Sequence, residues 1–431
     1  MERYSEYKDS GVKWLGEIPK HWEVKRLASY FTERRVKVSD KEYEPLSVTK
    51  LGVFPQWENV AKTNDGDNRK LVKKGDFVIN SRSDRKGSSG VSGRDGSVSL
   101  INIVLQPRTT IKAEFSNYLL KSYKFIEEYY RNGRGIVADL WTTRYDEMKM
   151  IKLAMPTLEE QTTIAAYLDA TTAKIDAAIA QQQKMIDLLN ERKQIIINNA
   201  VTKGLNPNVK MKDSGVEWIG EVPEHWEVNK FKNLYKTRTG ITFTKAQLVE
   251  YGDPVISYGQ IHSKDNWCAS VNLDLIRYIP AKLTEGNQGA LAEKGDFLFA
   301  DTSEDFEGCG NNIYIDTDNP IYAGYHTILA KCNNNQCGPY LAYLFASTKW
   351  RGQIRSMVNG VKVYSITQSI IKNAYVILPP LDEQKAIANH IKDRVVIIDK
   401  AIKGHNQQIS LLQERKQIII NDVVTGKVKI Y

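Results

Sequence analysis

The chain has 431 residues, of which 42% are hydrophobic, and this excludes a disordered or fibrous protein and favours two or three folded domains. Lysine and arginine outnumber aspartate and glutamate by 60 to 51, and the resulting formal charge of +9 suits a polyanionic partner without requiring one. No apolar run reaches the roughly 20 residues of a membrane-spanning helix, and the first residues lack the layout of a signal peptide, so we expect a cytoplasmic protein.

The opening segment at residues 8–24 is the first part of an internal repeat. It reads KDSGVKWLGEIPKHWEV, and residues 212–228 read KDSGVEWIGEVPEHWEV. A second matched pair, residues 156–200 and 379–423, begins with PTLEEQ and PPLDEQ. Two such copies predict two similar halves related by a pseudo-twofold axis. A duplication kept only for stability is the alternative, but the segments in between have diverged almost completely, which favours two readers of different targets on a common scaffold.

Two further features recur at equivalent places in the repeat. The histidines His21 and His225 stand in Pro-Lys-His-Trp and Pro-Glu-His-Trp, and KGDF runs begin at Lys74 and Lys294. Because these histidines repeat with the scaffold, we interpret them as structural and not as catalytic.

The first variable block, called block one here, spans residues 23–155. β-Rich runs at Asp76–Ser81 and Val98–Leu105, with a helix near Tyr118–Tyr130, predict a mixed α/β fold. Its basic, glycine-rich loop has neither a P-loop nor a dinucleotide signature. Arginine forks fit guanine edges and lysines hold phosphates, although a mobile surface loop is the alternative. The DNA contacts predicted for block one are Thr49, Lys50, Arg82, Arg85, Lys86, Ser88, Arg94 and Trp141.

The segment from Leu158 to Asn199 contains no proline or glycine and predicts one long helix. Apolar residues recur at sevens on a main track (Leu168, Ile175, Leu189 and Ile196, with Gln182 between) and on a second track (Ile164, Thr171, Ala178 and Met185). This narrow seam predicts a coiled coil, roughly 60 Å long, with the helix copy running antiparallel. A long helix packed on its own domain is the alternative.

The second variable block, called block two, spans residues 227–378 and is richer in amides. β-Rich runs at Asp296–Ala300 and Tyr322–Ala330, with a helix near Tyr340–Met357, again predict a mixed α/β fold. Amide side chains suit adenine, and tyrosine suits phosphate or thymine. The predicted DNA contacts are Tyr258, Gln260, His262, Lys264, Asn311, Lys362 and Tyr364; the two blocks align at Pro45–Val53 with Pro254–His262 and at Leu140–Thr143 with Val363–Ile366.

The second helix copy keeps the main track as Ile391, Ile398, Leu412 and Ile419, with His405 between. A charged run interrupts the seam near the end of each helix copy. Its residues form either a solvated face or a docking surface for another subunit, and the predicted docking residues are Glu191, Arg192, Lys193, Glu414, Arg415 and Lys416.

Several signatures of catalysis are missing from the sequence. There is no amino-methyltransferase motif of the Asn/Asp/Ser-Pro-Pro-Tyr/Phe type, no glycine-rich loop for S-adenosylmethionine, no nuclease cluster and no Walker motif. The cysteines Cys268, Cys309, Cys332 and Cys337 form neither a CxxC pair nor a disulfide framework. We therefore expect reduced thiols, no metal, no cofactor and no catalytic centre.

The doubled KDSGVxWxGExPxHWEV segments, the KGDF turns, and the helix ends reading ERKQIII resemble the specificity subunits of Type I restriction–modification systems over essentially the whole chain. The resemblance implies an α+β fold with two target-recognition domains, residues 1–155 and 206–378. It also implies two antiparallel spacer helices, residues 156–205 and 379–431.

By the same resemblance, each domain reads one half-site of double-stranded DNA and the helices set the gap. Two methyltransferase subunits dock here, nuclease–translocase subunits join them, and adenine methylation and ATP-dependent cleavage occur on those partners. A self-contained methyltransferase and a coiled-coil adaptor without DNA contact are the rival interpretations.

Overall fold

The structure is a computed structural model that describes residues 2–56, 66–135, 141–266, 269–333, 335–360 and 362–430. The chain divides into two compact units. Unit 1 comprises Met1–Gln183 and Asn406–Tyr431, and unit 2 comprises Lys184–His405. Each unit therefore contains one variable block and a part of each long helix, and the predicted α+β class is confirmed.

Unit 1 is built around a four-stranded sheet of order β10-β9-β12-β4, beside a three-stranded sheet of order β11-β8-β5. Its strands are β1 Tyr7–Asp9, β2 Glu17–Pro19, β3 Glu23–Arg26, β4 Phe31–Glu33, β5 Lys37–Val38, β6 Leu46–Thr49, β7 Gly52–Pro55, β8 Arg69–Val72, β9 Phe77–Asn80, β10 Ser89–Val91, β11 Gly96–Val98, β12 Asn102–Pro107 and β13 Lys152–Met155. Its short helices are α1 Ala113–Lys121, α2 Tyr123–Arg131 and α3 Tyr145–Met148.

Unit 2 repeats the central sheet as β17-β25-β21-β23, and its second sheet of order β19-β18-β24-β20 contains the parallel pair β18–β24. Its strands are β14 Met211–Asp213, β15 Glu221–Pro223, β16 Glu227–Lys230, β17 Tyr235–Thr239, β18 Asp253–Ile256, β19 Arg277–Ile279, β20 Leu291–Ala292, β21 Phe297–Ala300, β22 Thr302–Ser303, β23 Asn312–Tyr314, β24 Ile321–Ala323, β25 Thr327–Cys332, β26 Tyr364–Ser365 and β27 Tyr375–Leu378. Its short helices are α5 Tyr258–Ile261, α6 Gly338–Ala346, α7 Thr348–Met357 and α8 Gln368–Asn373.

Two of the predicted strands are each divided in two, at equivalent places. The run Val98–Leu105 forms the end of β11 and most of β12, and the run Tyr322–Ala330 forms β24 and β25. In unit 2 the break contains His326, whose backbone φ of 54° is incompatible with an extended strand. Apolar side chains occur within both breaks, Leu100 and Ile101 in unit 1 and Tyr325 in unit 2, so each pair of strands resembles one continuous run in the sequence.

The single helix predicted in each block is a pair of short helices joined by a serine. Ser122 ends α1 with an extended backbone and accepts a hydrogen bond from the amide of Phe125, which caps α2. Ser347 does the same between α6 and α7, where it accepts from the amide of Trp350. A serine hydroxyl satisfies an amide that the first turn of a helix leaves without a partner, so it breaks one helix and starts the next.

The KGDF runs form the turn before the central strand of each unit, which is β9 in unit 1 and β21 in unit 2. Gly75 and Gly295 have φ values of 91° and 101°, which a side chain would strain. Asp76 accepts two hydrogen bonds from the Arg34 guanidinium, at 2.7 and 3.1 Å. Asp296 instead accepts from the backbone amides of Glu293 and Cys332, and burial raises the pKa of its carboxyl.

The two long helices are α4, Leu158–Lys203, and α9, Leu381–Val424. Because Asp176 of α4 meets Lys416 of α9, whereas Lys193 farther along α4 meets Asp399 near the start of α9, the helices run antiparallel. This confirms the predicted orientation.

The main track of the predicted seam is confirmed at its buried positions, whereas Leu189, Ile196 and Leu412 on it are only partly buried, and beyond Ile164 the second track is displaced by one residue. Leu168, Ile175, Ile391 and Ile398 are buried. On the second track Ile186 is 6% exposed and the predicted Met185 is 43% exposed. Apolar residues occupy both adjacent positions, and since a helix turns once in 3.6 residues, spacings of three and four both fit the pattern. Packing against the partner helix decides which position is buried, and it selects Ile186 instead of Met185.

Each core includes side chains from both long helices. In unit 1 the fully buried aromatic residues Trp22, Phe77 and Phe125 belong to one cluster with Leu168 of α4 and Val423 of α9. In unit 2 the equivalent cluster includes Trp226, Phe297, Trp350, Val201 of α4 and Ile391 of α9. Burial of such side chains contributes about 1.5–3 kcal/mol each, so the helices stabilise the variable blocks directly. Within the described ranges no helix is sufficiently long and apolar to span a membrane.

Candidate nucleic-acid interface

In unit 1 the basic, glycine-rich loop, which contains Arg82, Arg85, Lys86 and Arg94, begins where the central strand β9 ends. Arg82 forms an isolated bridge with Thr142, and the amide of Thr143 donates to the carbonyl of Ser81 at 3.0 Å. The Tyr130 hydroxyl lies 3.2 Å from the carbonyl oxygens of both Asn80 and Arg82. These contacts fix the backbone, while the side chains of Arg82 and Arg85 are exposed.

The other predicted residues of this loop differ in their surroundings. Lys86 pairs with Glu127 at 2.6 Å, and Arg94 lies 3.7 Å from Glu44. Both side chains keep part of their surface exposed, so phosphate could replace the carboxylate partner. Ser88 is only 6% exposed, and its hydroxyl is therefore not part of the surface that unit 1 offers.

The remaining predicted contacts of block one have mainly local roles. The Trp141 indole donates to the carbonyl of Tyr130 at 2.7 Å and packs against Gly133, which holds the loop in place. The Thr49 hydroxyl closes the β6–β7 turn through the Gly52 carbonyl at 3.1 Å, and Lys50 is exposed at the tip of that turn.

In unit 2 four of the predicted residues meet around β22. The His262 ring lies 2.8 Å from the carbonyl of Thr302 through Nε2, and the Asn311 amide lies 3.0 Å from its Nδ1. If Nε2 donates, Nδ1 accepts, and the neutral ring satisfies both contacts. Tyr364 lies on β26, which pairs with β22, and the ring of Tyr258 is 6.3 Å from that of His262.

The other predicted residues of block two lie outside this cluster or use their polar atoms locally. Gln260 accepts from the amide of Ser257 at 3.0 Å and so caps the short helix α5. Lys264 and Lys362 are exposed. Of the aligned stretches, Leu140 lies outside the described residues, and Thr143 corresponds to Ile366, whose amide donates to the Asp301 carbonyl at 2.7 Å.

Sequence reasoning missed three residues beside this cluster. Asp301 directly follows the central strand β21, and its Oδ1 lies 2.8 Å from Nδ1 of His326. Tyr325 packs on the His326 ring with centroids 4.0 Å apart. The KGDF turn offered the missing signal, because Asp301 follows Asp296 by the five positions that separate Ser81 from Asp76.

The described part of the chain contains no group of histidine, cysteine or acidic residues that could hold a metal. Cys309, Cys332 and Cys337 are not joined in disulfides, and Cys268 lies outside the described residues.

The predicted docking residues divide into two kinds. Lys193 and Lys416 lie in the seam, and each pairs with an aspartate of the other helix. The other four, Glu191, Arg192, Glu414 and Arg415, are exposed. Beside them stand exposed apolar side chains, which we call the outer apolar pairs: Leu188 with Ile195 in unit 2, and Leu411 with Ile418 in unit 1.

Residues 223–411 match the family described as the Type I restriction modification DNA specificity domain. The MjaVIII specificity subunit of a Type I restriction enzyme from Methanocaldococcus jannaschii is 24% identical to this chain, over 98% of this chain and 97% of its own length. Together these similarities support the predicted Type I specificity subunit. The predicted family is thereby confirmed.

One further relative agrees with this assignment, and one solved structure shares the fold. The EcoKI specificity subunit of Escherichia coli is 25% identical over 75% of this chain and 67% of its own length. A solved structure from work on the complex assembly and conformational transition of the type I R-M system is similar to this chain, with a TM-score of 0.68 and 13% sequence identity. The similarity covers 95% of this chain and 99% of that chain. That structure supports the fold. The relatives support the prediction of a DNA-recognition subunit, as distinct from a catalytic one.

Proposed function

We propose that this specificity subunit reads a bipartite DNA site, with one half-site contacted by each unit. The proposal rests on a backbone arrangement that both units repeat at the end of the central strand, and we call this arrangement the mount. In unit 1 the amide of Thr143 bonds to the Ser81 carbonyl at 3.0 Å, and in unit 2 the amide of Ile366 bonds to the Asp301 carbonyl at 2.7 Å. The same backbone frame thus presents different exposed side chains, as two readers of different sequences require.

The charges of the two surfaces suit this division. Unit 1 offers the exposed guanidinium groups of Arg82 and Arg85, which can bind guanine O6 and N7 or phosphate oxygens. Unit 2 offers the amide of Asn311, which the ring of His262 holds in place, together with Tyr258. These groups suit adenine edges and phosphate oxygens, so the half-sites should differ in sequence.

The long helices, in this proposal, set the gap between half-sites and bind two methyltransferase subunits. Helices of 46 and 44 residues are about 65–70 Å long, more than the 34–36 Å of one DNA turn. Each outer apolar pair is seven residues apart and so lies on one helix face. The pairs are equivalent in the repeat, and two equivalent apolar surfaces suit two copies of one partner.

The experiment combines this chain with its modification and restriction subunits and maps the adenines that the complex methylates. We expect a single bipartite sequence, with S-adenosylmethionine used by the partners and no methylation by this chain alone. Methyl transfer by the purified chain would instead indicate a self-contained methyltransferase. Methylation without sequence preference would indicate an adaptor that does not read DNA.

A further inference from the structure

One pair of equivalent positions carries very different chemistry in the two units. The amide of Ser81 bonds to the carbonyl of Ile101 at 3.3 Å in unit 1, and the amide of Asp301 bonds to the carbonyl of His326 at 3.2 Å in unit 2. Both bonds join the residue after the central strand to the residue before the neighbouring strand, β12 or β25. The backbone is therefore the same, and an aliphatic side chain in one unit stands where the other unit has an imidazole.

The His326 side chain is held in one orientation. Its Nδ1 lies 2.8 Å from Oδ1 of Asp301, and that same oxygen accepts from the Thr302 hydroxyl at 2.8 Å. The rings of Tyr325 and Tyr258 pack edge-on against the imidazole, with centroids 4.0 and 5.6 Å away. The His326 side chain nevertheless keeps 37% of its surface exposed, so the ring is fixed but accessible.

The backbone of His326 is in an uncommon conformation. Its φ of 54° makes it the one residue other than glycine with a positive φ among the described residues. Left-handed backbone costs a residue with a side chain roughly 1–2 kcal/mol, and such outliers concentrate at functional sites. Glycine would adopt this conformation without that cost, so the backbone does not itself require a histidine here.

The hydrogen bond to Asp301 determines what the other ring nitrogen can do. A carboxylate only accepts, so Nδ1 carries the proton, and Nε2 of the neutral ring is an acceptor. Within the described residues no group bonds to this Nε2. Together with the Asp301 carboxylate it forms an acceptor surface beside Tyr258. Acceptors read the exocyclic amino groups of DNA bases, N6 of adenine or N4 of cytosine.

We propose that His326, oriented by Asp301, determines the specificity of unit 2 by accepting a hydrogen bond from the amino group of an adenine or cytosine. The inference rests on the proposed function and names the chemistry of one contact within it. The corresponding mount of unit 1 carries Arg82 and Ile101, a donor fork and an apolar side chain. That combination suits guanine and the thymine methyl group, so one mount reads complementary base chemistries in the two units.

The test uses the complete complex and oligonucleotides that carry its mapped site. At each adenine or cytosine of the half-site read by unit 2, the base is replaced by its analogue without the amino group, purine or 2-pyrimidinone. At one position we expect the wild-type complex to bind the analogue about five- to a hundredfold more weakly. The position identifies whether the base is adenine or cytosine.

The variants are His326→Gly, which also relieves the backbone, and Asp301→Asn, with Glu285→Gln as an exposed control in unit 2. In His326→Gly the penalty for the analogue should disappear, while the other half-site is read as before. Asp301→Asn should reduce the penalty, and Glu285→Gln should retain it. An undiminished penalty in His326→Gly, or equal weakening of binding to all sequences, would overturn the inference. A wild-type complex that discriminates no sequences would instead refute the proposed function.

Discussion

Lys416 of α9 donates to both carboxylate oxygens of Asp176 in α4, each at 2.7 Å. The equivalent residues of the repeat, Lys193 and Asp399, form the same pair in unit 2 at 2.8 Å. A cation in a mainly apolar seam favours the one alignment of the helices in which its carboxylate partner is reachable. The charged interruptions of the seam therefore have a structural role, and their role in docking stays a prediction.

The Lys416–Asp176 pair should contribute modestly to stability, because both side chains contact solvent. A double-mutant cycle in urea should give a coupling energy of about 0.5–1 kcal/mol. Asp176→Lys should be the most destabilising change, and the exchange Asp176→Lys with Lys416→Asp should restore most of the loss. Glu414→Gln, an exposed control on α9, should have no measurable effect. A coupling energy of zero would show that the pair does not select the helix alignment.

Docking of methyltransferase subunits should depend on the outer apolar pairs. Leu188→Glu with Ile195→Glu places two charges on an exposed apolar face, so folding should be unaffected and one methyltransferase subunit should be lost. Mass measurement of the assembled complex gives its stoichiometry directly. The matched change of Leu411 and Ile418 should remove the other subunit, and Lys184→Glu is an exposed control. Two subunits retained in both variants would exclude these surfaces as docking sites.

The exposed arginines of unit 1 should separate base contacts from phosphate contacts. Arg82→Ala and Arg85→Ala should each relax one position of one half-site, at a cost of about 1–3 kcal/mol, if the fork binds a guanine. If Arg94 binds phosphate, Arg94→Ala should weaken binding to all DNA sequences alike, and it should reduce the salt dependence of binding. Binding of randomised DNA at two salt concentrations distinguishes these outcomes. Unchanged binding by all three variants would leave the loop without a role in recognition.

Both long helices could be predicted from the sequence, because the apolar repeat continues through each without proline, and the one glycine, Gly404 in α9, does not interrupt it. The seam could be predicted only in part, since Met185 and Ile186 both fit the period and the partner helix decides between them. The recognition surfaces were harder. Asp301 and His326 stand where block one has Ser81 and Ile101, so comparison of the two blocks does not reveal them. Ser88 is indistinguishable from an exposed serine until the sheet that buries it is known.

Lengthening both helices should widen the gap between half-sites. Because Lys193 meets Asp399, Asn190 lies opposite Ile402, and seven residues inserted after each preserve the seam. The rod should grow by about 10 Å, and the preferred gap by up to about three base pairs. Four-residue insertions shift the seam and should give a less stable complex. Methylation mapping of an active variant with the original gap would refute the role of the helices in spacing.

Exchange of a single variable block tests the central claim most directly, that each unit reads its own half-site. Residues 23–155 lie wholly within unit 1, so replacing them with the corresponding block of a relative leaves unit 2 intact. The measurement is methylation mapping of DNA from cells that express the hybrid chain with its partner subunits. We predict that one half-site changes to that of the donor, while the other half-site keeps its sequence. A hybrid complex that methylates DNA with both half-sites altered, or with neither altered, would contradict the account.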